Sequence, residues 1–362
     1  MDMLSRISLW FNRYERHLSA AAMVAGFAID SFVFKQATLA TTQVVFLIYA
    51  SICAFSILAL EHIEARAENG YSRPRFRPVF PIATQFALGG FWSGFLILYG
   101  RSAVMSASWP FLALLVLVFI GNELFRKYHD RLVFTSTLFF FALYSYAIFS
   151  VPIYVGALGT KEFLESGVLA ILVFFLFTSA VRVIGKKRFR ADVGRIWKGA
   201  LVVLVSMNIF YFTNILPPLP LTLTSGGVYH AVSRTGDTYA ALAEKQSWKT
   251  VLGFPSVLHT VPGESVYAYS AIFAPVKLAT TIVHRWERYD PALKKWKTEA
   301  AISFPITGGR NGGYRGYSAK ANLVAGEWRV DVETVDGRLV GRLRFTVVPV
   351  DLPPLEVSET LL

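Results

Sequence analysis

The sequence predicts a multi-pass α-helical membrane bundle of about seven spans, followed by an all-β sandwich domain of Ig-like type. Three observations carry that expectation. The chain of 362 residues is 54% hydrophobic, with a mean hydropathy of +0.46, too apolar for an ordinary soluble protein of this size. Apolar runs of membrane-crossing length recur up to residue 216 and stop at Pro217-Pro218. Beyond them the hydrophobic period changes from helical to two.

The expected domains are an interfacial amphipathic segment at 1–17, a seven-helix transmembrane domain at 18–216, a linker at 217–227, a β-sandwich at 228–348 and a tail at 349–362. Residues 3–14 place Met3, Leu4, Ile7, Trp10, Phe11 and Tyr14 on one stripe, with Arg6 and Arg13 off it. That suits a helix lying in a membrane interface or an ordinary lead-in. The spans drawn are 18–34, 39–60, 79–100, 104–121, 132–154, 166–181 and 199–216. The first is expected to remain uncleaved, because no small-residue cleavage site follows it. Trp109, Trp197 and Tyr99 fall near the expected interfaces, as an aromatic belt requires.

Charge sets the expected orientation. Lys and Arg in alternate inter-span stretches number 3, 4, 3 and 7, a total of 17, against 1, 1 and 1 in the others. Short loops rich in Lys and Arg stay cytoplasmic. The N-terminus is therefore expected inside and residues 217–362 outside. The net charge of +12 divides into +9 before residue 217 and +3 after it. Most of the excess thus belongs to loops facing anionic headgroups, and no nucleic-acid partner is expected. The lone Cys53 excludes an intrachain disulfide and a cysteine zinc site.

Inside the spans, Asp30, Gln85 and Asn208 are the polar candidates. An ionisable group in a membrane is costly unless paired or hydrated, so Asp30 suggests ion or proton handling. Lys35 nearby offers the plainer reading of an interfacial charge. Gly90 and Gly94 in the third span suit close helix packing. Ser206, Asn208, Thr213 and Asn214 suit hydrogen bonds between helices.

In the expected β region, Trp328, Val330 and Val332 alternate with Arg329, Asp331 and Glu333. Leu339, Leu343, Phe345 and Val347 alternate with Arg338, Arg342 and Arg344, and Ala300, Ile302, Phe304 and Ile306 repeat the period. Asp336-Gly337 predicts a two-residue hairpin. Val266–Ala274 and Thr280–Tyr289 are further strands, and such spacing predicts a sandwich. Residues 349–362, with three prolines, read as a loose tail.

The segment Gly308–Lys320 holds many glycines together with Arg310, Tyr314, Arg315, Tyr317 and Lys320. Glycines permit close backbone approach, arginines donate, and tyrosines offer flat faces, so the segment could bind an anion or a sugar, with Trp286 near by. The plainer reading is a glycine-rich hairpin whose arginines brace carboxylates or stack on Trp286, Trp296 or Trp328. It is no phosphate-binding Walker loop, because no Gly-Lys-Ser/Thr follows. His62, His230, His259 and His284 have no metal-site spacing, and structural or surface roles are expected for them. Asp331 and Glu333 read as a solvated face. No metal, cofactor or catalytic residue is expected.

The runs Ile282-Val-His-Arg-Trp-Glu, Trp296, Gly308-Gly-Arg-Asn-Gly-Gly-Tyr-Arg-Gly-Tyr-Ser, Gly326-Glu-Trp-Arg-Val and Gly341–Val348 together resemble the bacterial domain of unknown function 2914. The resemblance covers roughly residues 275–350. Arg13-Tyr14-Glu15-Arg16 with Gly26-Phe27 and Asp30 is similar to the membrane half of its longer members. The resemblance implies a bacterial inner-membrane protein with its last domain in the periplasm, and it supplies no activity. The expected function is therefore non-enzymatic: a periplasmic sandwich binding a partner protein or envelope glycan, beside the lipid bilayer as the other partner. The alternative is a transporter or channel component around Asp30.

Overall fold

The computed structural model describes residues 27–28, 30, 39–102, 105–124, 131–236, 238–244, 255–274, 278–308, 313–352 and 357–361. The expected interfacial segment and most of the first expected span lie outside them. The chain forms two compact units. One holds the described residues up to Gly100, with Pro110–Val151 and Phe163–Thr213; the other holds Arg101–Trp109, Pro152–Glu162 and everything from Asn214.

Six helices are described: α1 (Leu39–Glu68), α2 (Val79–Ser102), α3 (Met105–Leu124), α4 (Leu132–Val155), α5 (Thr160–Ile184) and α6 (Lys186–Phe212). Five carry stretches long and apolar enough to cross a membrane: Ala40–Glu68, Val79–Gly100, Leu132–Val155, Thr160–Ile184 and Phe189–Phe212. The apolar stretch of α3, Ala107–Asn122, is shorter. Aromatic side chains join the helices. Phe46 of α1 lies 4.8 Å from Phe95 of α2, Trp92 lies 4.9 Å from Phe141 of α4, and Phe140 lies 4.9 Å from Phe174 of α5. Phe163 of α5 stacks on Tyr211 of α6 at 3.7 Å. Gly90 is where the ring of Tyr49 rests; a Cβ there would stand 2.4 Å from it. The close packing expected of this glycine is thus made by a side chain. Tyr99 is fully buried against Phe111, so it belongs to the packed interior and not to an aromatic belt.

The last helix ends earlier than expected. It stops at Phe212, and Asn214 takes a φ of +58°, a left-handed conformation that Asn tolerates better than most residues. Asn214 therefore lies past the end of α6 and its Thr213 cap, not within the helix expected to bond to its neighbours. Leu216, Leu219 and Leu221 follow and are buried.

The second unit is β-rich. Its strands are β1 (Thr222–Tyr229), β2 (Ala231–Thr235), β3 (Thr238–Glu244), β4 (Ser256–Thr260), β5 (Ser265–Phe273), β6 (Ala279–Asp290), β7 (Lys295–Thr307), β8 (Tyr314–Ala321), β9 (Gly326–Thr334), β10 (Leu339–Pro349) and β11 (Val357–Leu361). They form three sheets in the orders β1-β5-β8, β4-β10-β9-β6-β7 and β11-β3-β2. Val228, Val266 and Ala268 from the first sheet share a core with Trp286, Trp328, Val330 and Phe345 from the second. Tyr229, Tyr269 and Ala271 share another with Val232, Tyr239 and Ala241 of the third.

Three expectations change here. The linker reading of 217–227 gives way to β1, which pairs with β5 from Thr222↔Phe273 to Tyr229↔Tyr267. Its Gly226 and Gly227 serve packing: a Cβ at Gly226 would sit 3.0 Å from Leu343, and one at Gly227 2.6 Å from the Tyr229 hydroxyl. The tail is not loose, because β11 pairs antiparallel with β3. The β9–β10 turn is longer than two residues: Glu333 pairs with Leu339, and Gly337, at φ +74°, donates its N–H to Thr334 O.

The two inter-helix turns in this unit touch its strands. Ala279 N donates to Gly156 O at 3.4 Å, the hydroxyls of Ser102 and Thr222 lie 3.0 Å apart, and Leu158 packs on the cluster of Leu221, Ile272 and Ile282.

Candidate functional site

Strand parity sorts the glycine-rich segment. Gly309, Arg310, Asn311 and Gly312 lie outside the described residues, so nothing is assigned to Arg310. From Tyr314 the segment is strand β8, paired with β5. Alternate side chains of a strand point to opposite faces. Gly316 and Ser318 face the core: Phe304 covers Gly316, and Ser318 Oγ accepts from Trp286 Nε1 at 3.0 Å. Tyr314 packs partly buried on the same side, against Leu221 and Ile272. Lys320 holds its Nζ 5.9 Å from the Trp328 ring. Trp286 is fully buried, edge-on to Phe345. That corrects its expected place at a ligand surface: one indole buries more apolar area than almost any other side chain, and the core takes it.

Arg315 and Tyr317 have the opposite parity. Tyr317 is 41% exposed. Its ring lies 6.1 Å from Tyr267 of β5 and 6.3 Å from Tyr239 of β3. Tyr239 donates its hydroxyl to Arg315 O at 3.2 Å and receives the Arg234 guanidinium at 5.7 Å from its ring centre. Tyr269, opposite Tyr317 in register, lies 5.7 Å from Tyr239. Burial raises the Tyr269 phenol above its ordinary pKa, and the nearby Arg315 charge opposes that shift. The result is a group of tyrosines from β3, β5 and β8 with an exposed member and two arginines beside it. The sequence singled out Arg315 and Tyr317; Tyr239 and Tyr267 come from strands distant in the chain and carried no local signal.

A second cluster was also missed. His230, between β1 and β2, has Nδ1 2.7 Å from Glu264 Oε1 and Nε2 2.8 Å from Glu244 Oε1. His259 of β4 has Nδ1 2.7 Å from Glu244 Oε2 and donates its backbone N–H to Glu244 Oε1. Burial works to raise the Glu244 pKa, but the hydrogen bonds from His259 and His230 outweigh it and hold the carboxyl below its usual range. Among the described residues no group of three His, Cys, Asp or Glu is arranged to hold a metal ion.

The carboxylates expected on a solvated face are buried instead. Asp331 and Glu333 are buried, as is Glu287 of β6 beside them. Arg342 donates to both oxygens of Asp331 at 2.6 Å, Arg285 Nε donates to Glu333 at 2.6 Å, and Arg329 Nε donates to Glu287 at 2.6 Å. The parity was as expected. The burial was not, because long arginine side chains cover the carboxylates they neutralise. Arg329 of β9, outside the glycine-rich segment, also lies 4.4 Å from the Trp296 ring centre.

The polar candidates of the helical unit have separate surroundings. Asp30 lies beside Ser93 of α2 and Tyr49 of α1. Gln85 offers its backbone carbonyl to Asn122 Nδ2 at 3.1 Å. Asn208 Nδ2 donates to Leu204 O at 2.8 Å and stands 3.4 Å from the Tyr144 hydroxyl.

No curated protein matches the chain. Among solved structures, a β-glucosidase from Listeria innocua in complex with gluconolactone is similar over 32% of this chain and 17% of its own, at 12% identity and a TM-score of 0.19. The chain thus spans less than a fifth of that enzyme. The Pseudomonas fluorescens alkylpurine DNA glycosylase AlkC, bound to DNA containing an abasic-site analogue, is similar over 84% of this chain and 81% of its own, at 13% identity and a TM-score of 0.20. Neither likeness is close enough to carry an argument about fold or activity. Residues 279–347, from the start of β6 into β10, match the family described as protein of unknown function, DUF2914, so the C-terminal region of this chain carries that domain.

Proposed function

We propose that the protein is a non-enzymatic, multi-pass membrane protein whose β region, a sandwich held outside the cytoplasm, binds an envelope glycan across the faces of Tyr317 and Tyr267. The exposed Tyr317 ring beside Tyr267 and Tyr239 is the observation that carries this reading. Sugars present flat C–H faces that stack on such rings, and Arg315 and Arg234 supply donors for hydroxyls or acidic groups. A large protein partner is less well matched, because the other exposed apolar side chains of the β region, such as Val257, Leu293 and Val335, are scattered over separate strands and turns.

Two features support the orientation. Residues 61–78, 122–131 and 182–198, which span the α1–α2, α3–α4 and α5–α6 junctions and the helix ends beside them, carry 4, 3 and 7 basic residues. Arg101 and Lys161, the single basic residues flanking the α2–α3 and α4–α5 turns, belong to the same compact unit as the strands. On this reading the positive-inside rule favours a β region outside the cytoplasm.

The test is glycan binding by the full chain in lipid nanodiscs, using soluble cell-wall fragments as the probe. Tyr317→Ala should weaken binding by about tenfold, a loss of about 1.4 kcal/mol, and leave folding intact. Equal binding by wild type and Tyr317→Ala, or none by either, would remove the glycan reading.

A further inference from the structure

The His230–Glu244 cluster ties four elements at one corner of the β unit. His230 comes from the β1–β2 junction, Glu244 from the end of β3, His259 from β4 and Glu264 from the β4–β5 turn. The geometry fixes the protons. Both nitrogens of His230 lie within 2.8 Å of a carboxylate oxygen. A carboxylate only accepts, and a neutral imidazole has a single N–H. Glu244 already accepts from the His259 backbone, and Glu264 Oε2 accepts from Val261 N at 3.0 Å. The arrangement is satisfied in full when His230 is the imidazolium and donates to both.

We infer that this cluster is a proton-operated clasp: doubly protonated His230 fastens the end of β3 to the β4–β5 turn, and loss of one proton releases β3. When the ring becomes neutral, one of its two contacts sets a nitrogen lone pair against a carboxylate at hydrogen-bond distance. Among the described residues, none at the corner is placed to replace the lost donor. Among the described neighbours, Arg234 of β2 turns its Nε to Gly236 O and its guanidinium to Tyr239, and Glu359 of β11 lies in register with Leu242. His259 is already engaged with Glu244, and Tyr229 and Tyr267 pair with each other in register. Strand β3 also pairs with β2 and sends Tyr239 and Ala241 into the core, so the clasp bears on its far end, at Glu244, where the described side chains of its partner β11 are all exposed. The strand also carries Tyr239, so release would loosen one wall of the tyrosine group. The clasp itself does not depend on any ligand being bound there.

Hydrogen exchange of the full chain in nanodiscs tests the clasp without a ligand. After normalisation for base-catalysed exchange, the amides of Ala240–Glu244 should lose about tenfold in protection on going from buffer in which His230 carries both N–H groups to buffer in which it carries one. Glu264→Gln is the decisive variant. Its carboxamide can donate to a neutral His230 while its oxygen still accepts from Val261, so protection should stay high across the whole range. Nitrogen chemical shifts of His230 should show two N–H groups at the acid end and one at the alkaline end. A wild type without the step, a step that persists in Glu264→Gln, or a His230 ring with one N–H throughout would each overturn the clasp.

Discussion

His284 shows how a single buried group sets the acid limit of the β region. It is fully buried, with Nε2 2.8 Å from Ser270 Oγ and Nδ1 2.9 Å from Ser318 Oγ, and so links β5, β6 and β8. Burial holds its pKa down to about 4, from 6.5. As pH falls, the unfolded chain takes up a proton before the folded one does. This contribution to stability is full above about pH 6.5, declines below it, and by about pH 4 has lost about 3 kcal/mol. Urea unfolding followed by the fluorescence of the buried Trp286 and Trp328 should show that slope. In His284→Gln the part of the slope due to this residue should vanish, although the variant is less stable overall. The sequence allowed His284 only a structural or surface role, because period two shows which face a residue takes and not whether that face is sealed. The same limit hid the burial of Asp331 and Glu333, whose parity was legible.

Strands are where the sequence was most readable. The alternations through β7, β9 and β10 from Arg342 onward are the observed ones, since side-chain period alone assigns faces; a bulge between Leu339 and Gly341 sets Leu339 opposite Glu333 and puts Val340 in the core in its place. Elements whose pairing is distant were not readable. Strand β4 runs parallel to β10, β11 joins β3, and β1 reads as a linker because Ser225-Gly226-Gly227 has no apolar alternation. Glycines at positive φ give a direct comparison between turns. Gly337, at +74°, has open space where a Cβ would go, whereas Gly313, at +93°, would place one 2.8 Å from the Ile272 backbone. Gly337→Ala should cost about 1 kcal/mol, the backbone penalty alone. Gly313→Ala should cost about 3 kcal/mol, because backbone crowding adds to that penalty. Equal losses in thermal or urea unfolding would mean that the β5–β8 pairing does not press on Gly313 as described. Within the candidate site, Arg315 and Tyr317 were legible from the glycine-rich run. Tyr239 and Tyr267, and the His230 cluster, were not, because only the folded chain brings those strands together.

At the scale of the whole chain, the change from helical to two-residue period after residue 216 corresponds to the change from helices to strands. The helix end moves back to Phe212, where Asn214 adopts the left-handed turn before any proline is reached. The proposed orientation carries the rest of the functional reading, because a glycan-binding face must lie outside. Cysteine accessibility tests it directly. The chain has one cysteine, Cys53, and it is buried. In a Cys53→Ser background, Leu293→Cys places a thiol in the exposed β6–β7 turn and Tyr71→Cys places one in the exposed α1–α2 connection. In sealed right-side-out membranes, an impermeant maleimide should label Leu293→Cys at once and Tyr71→Cys only after the membrane is opened. Labelling of both from the same side, or the reverse order, would contradict the account.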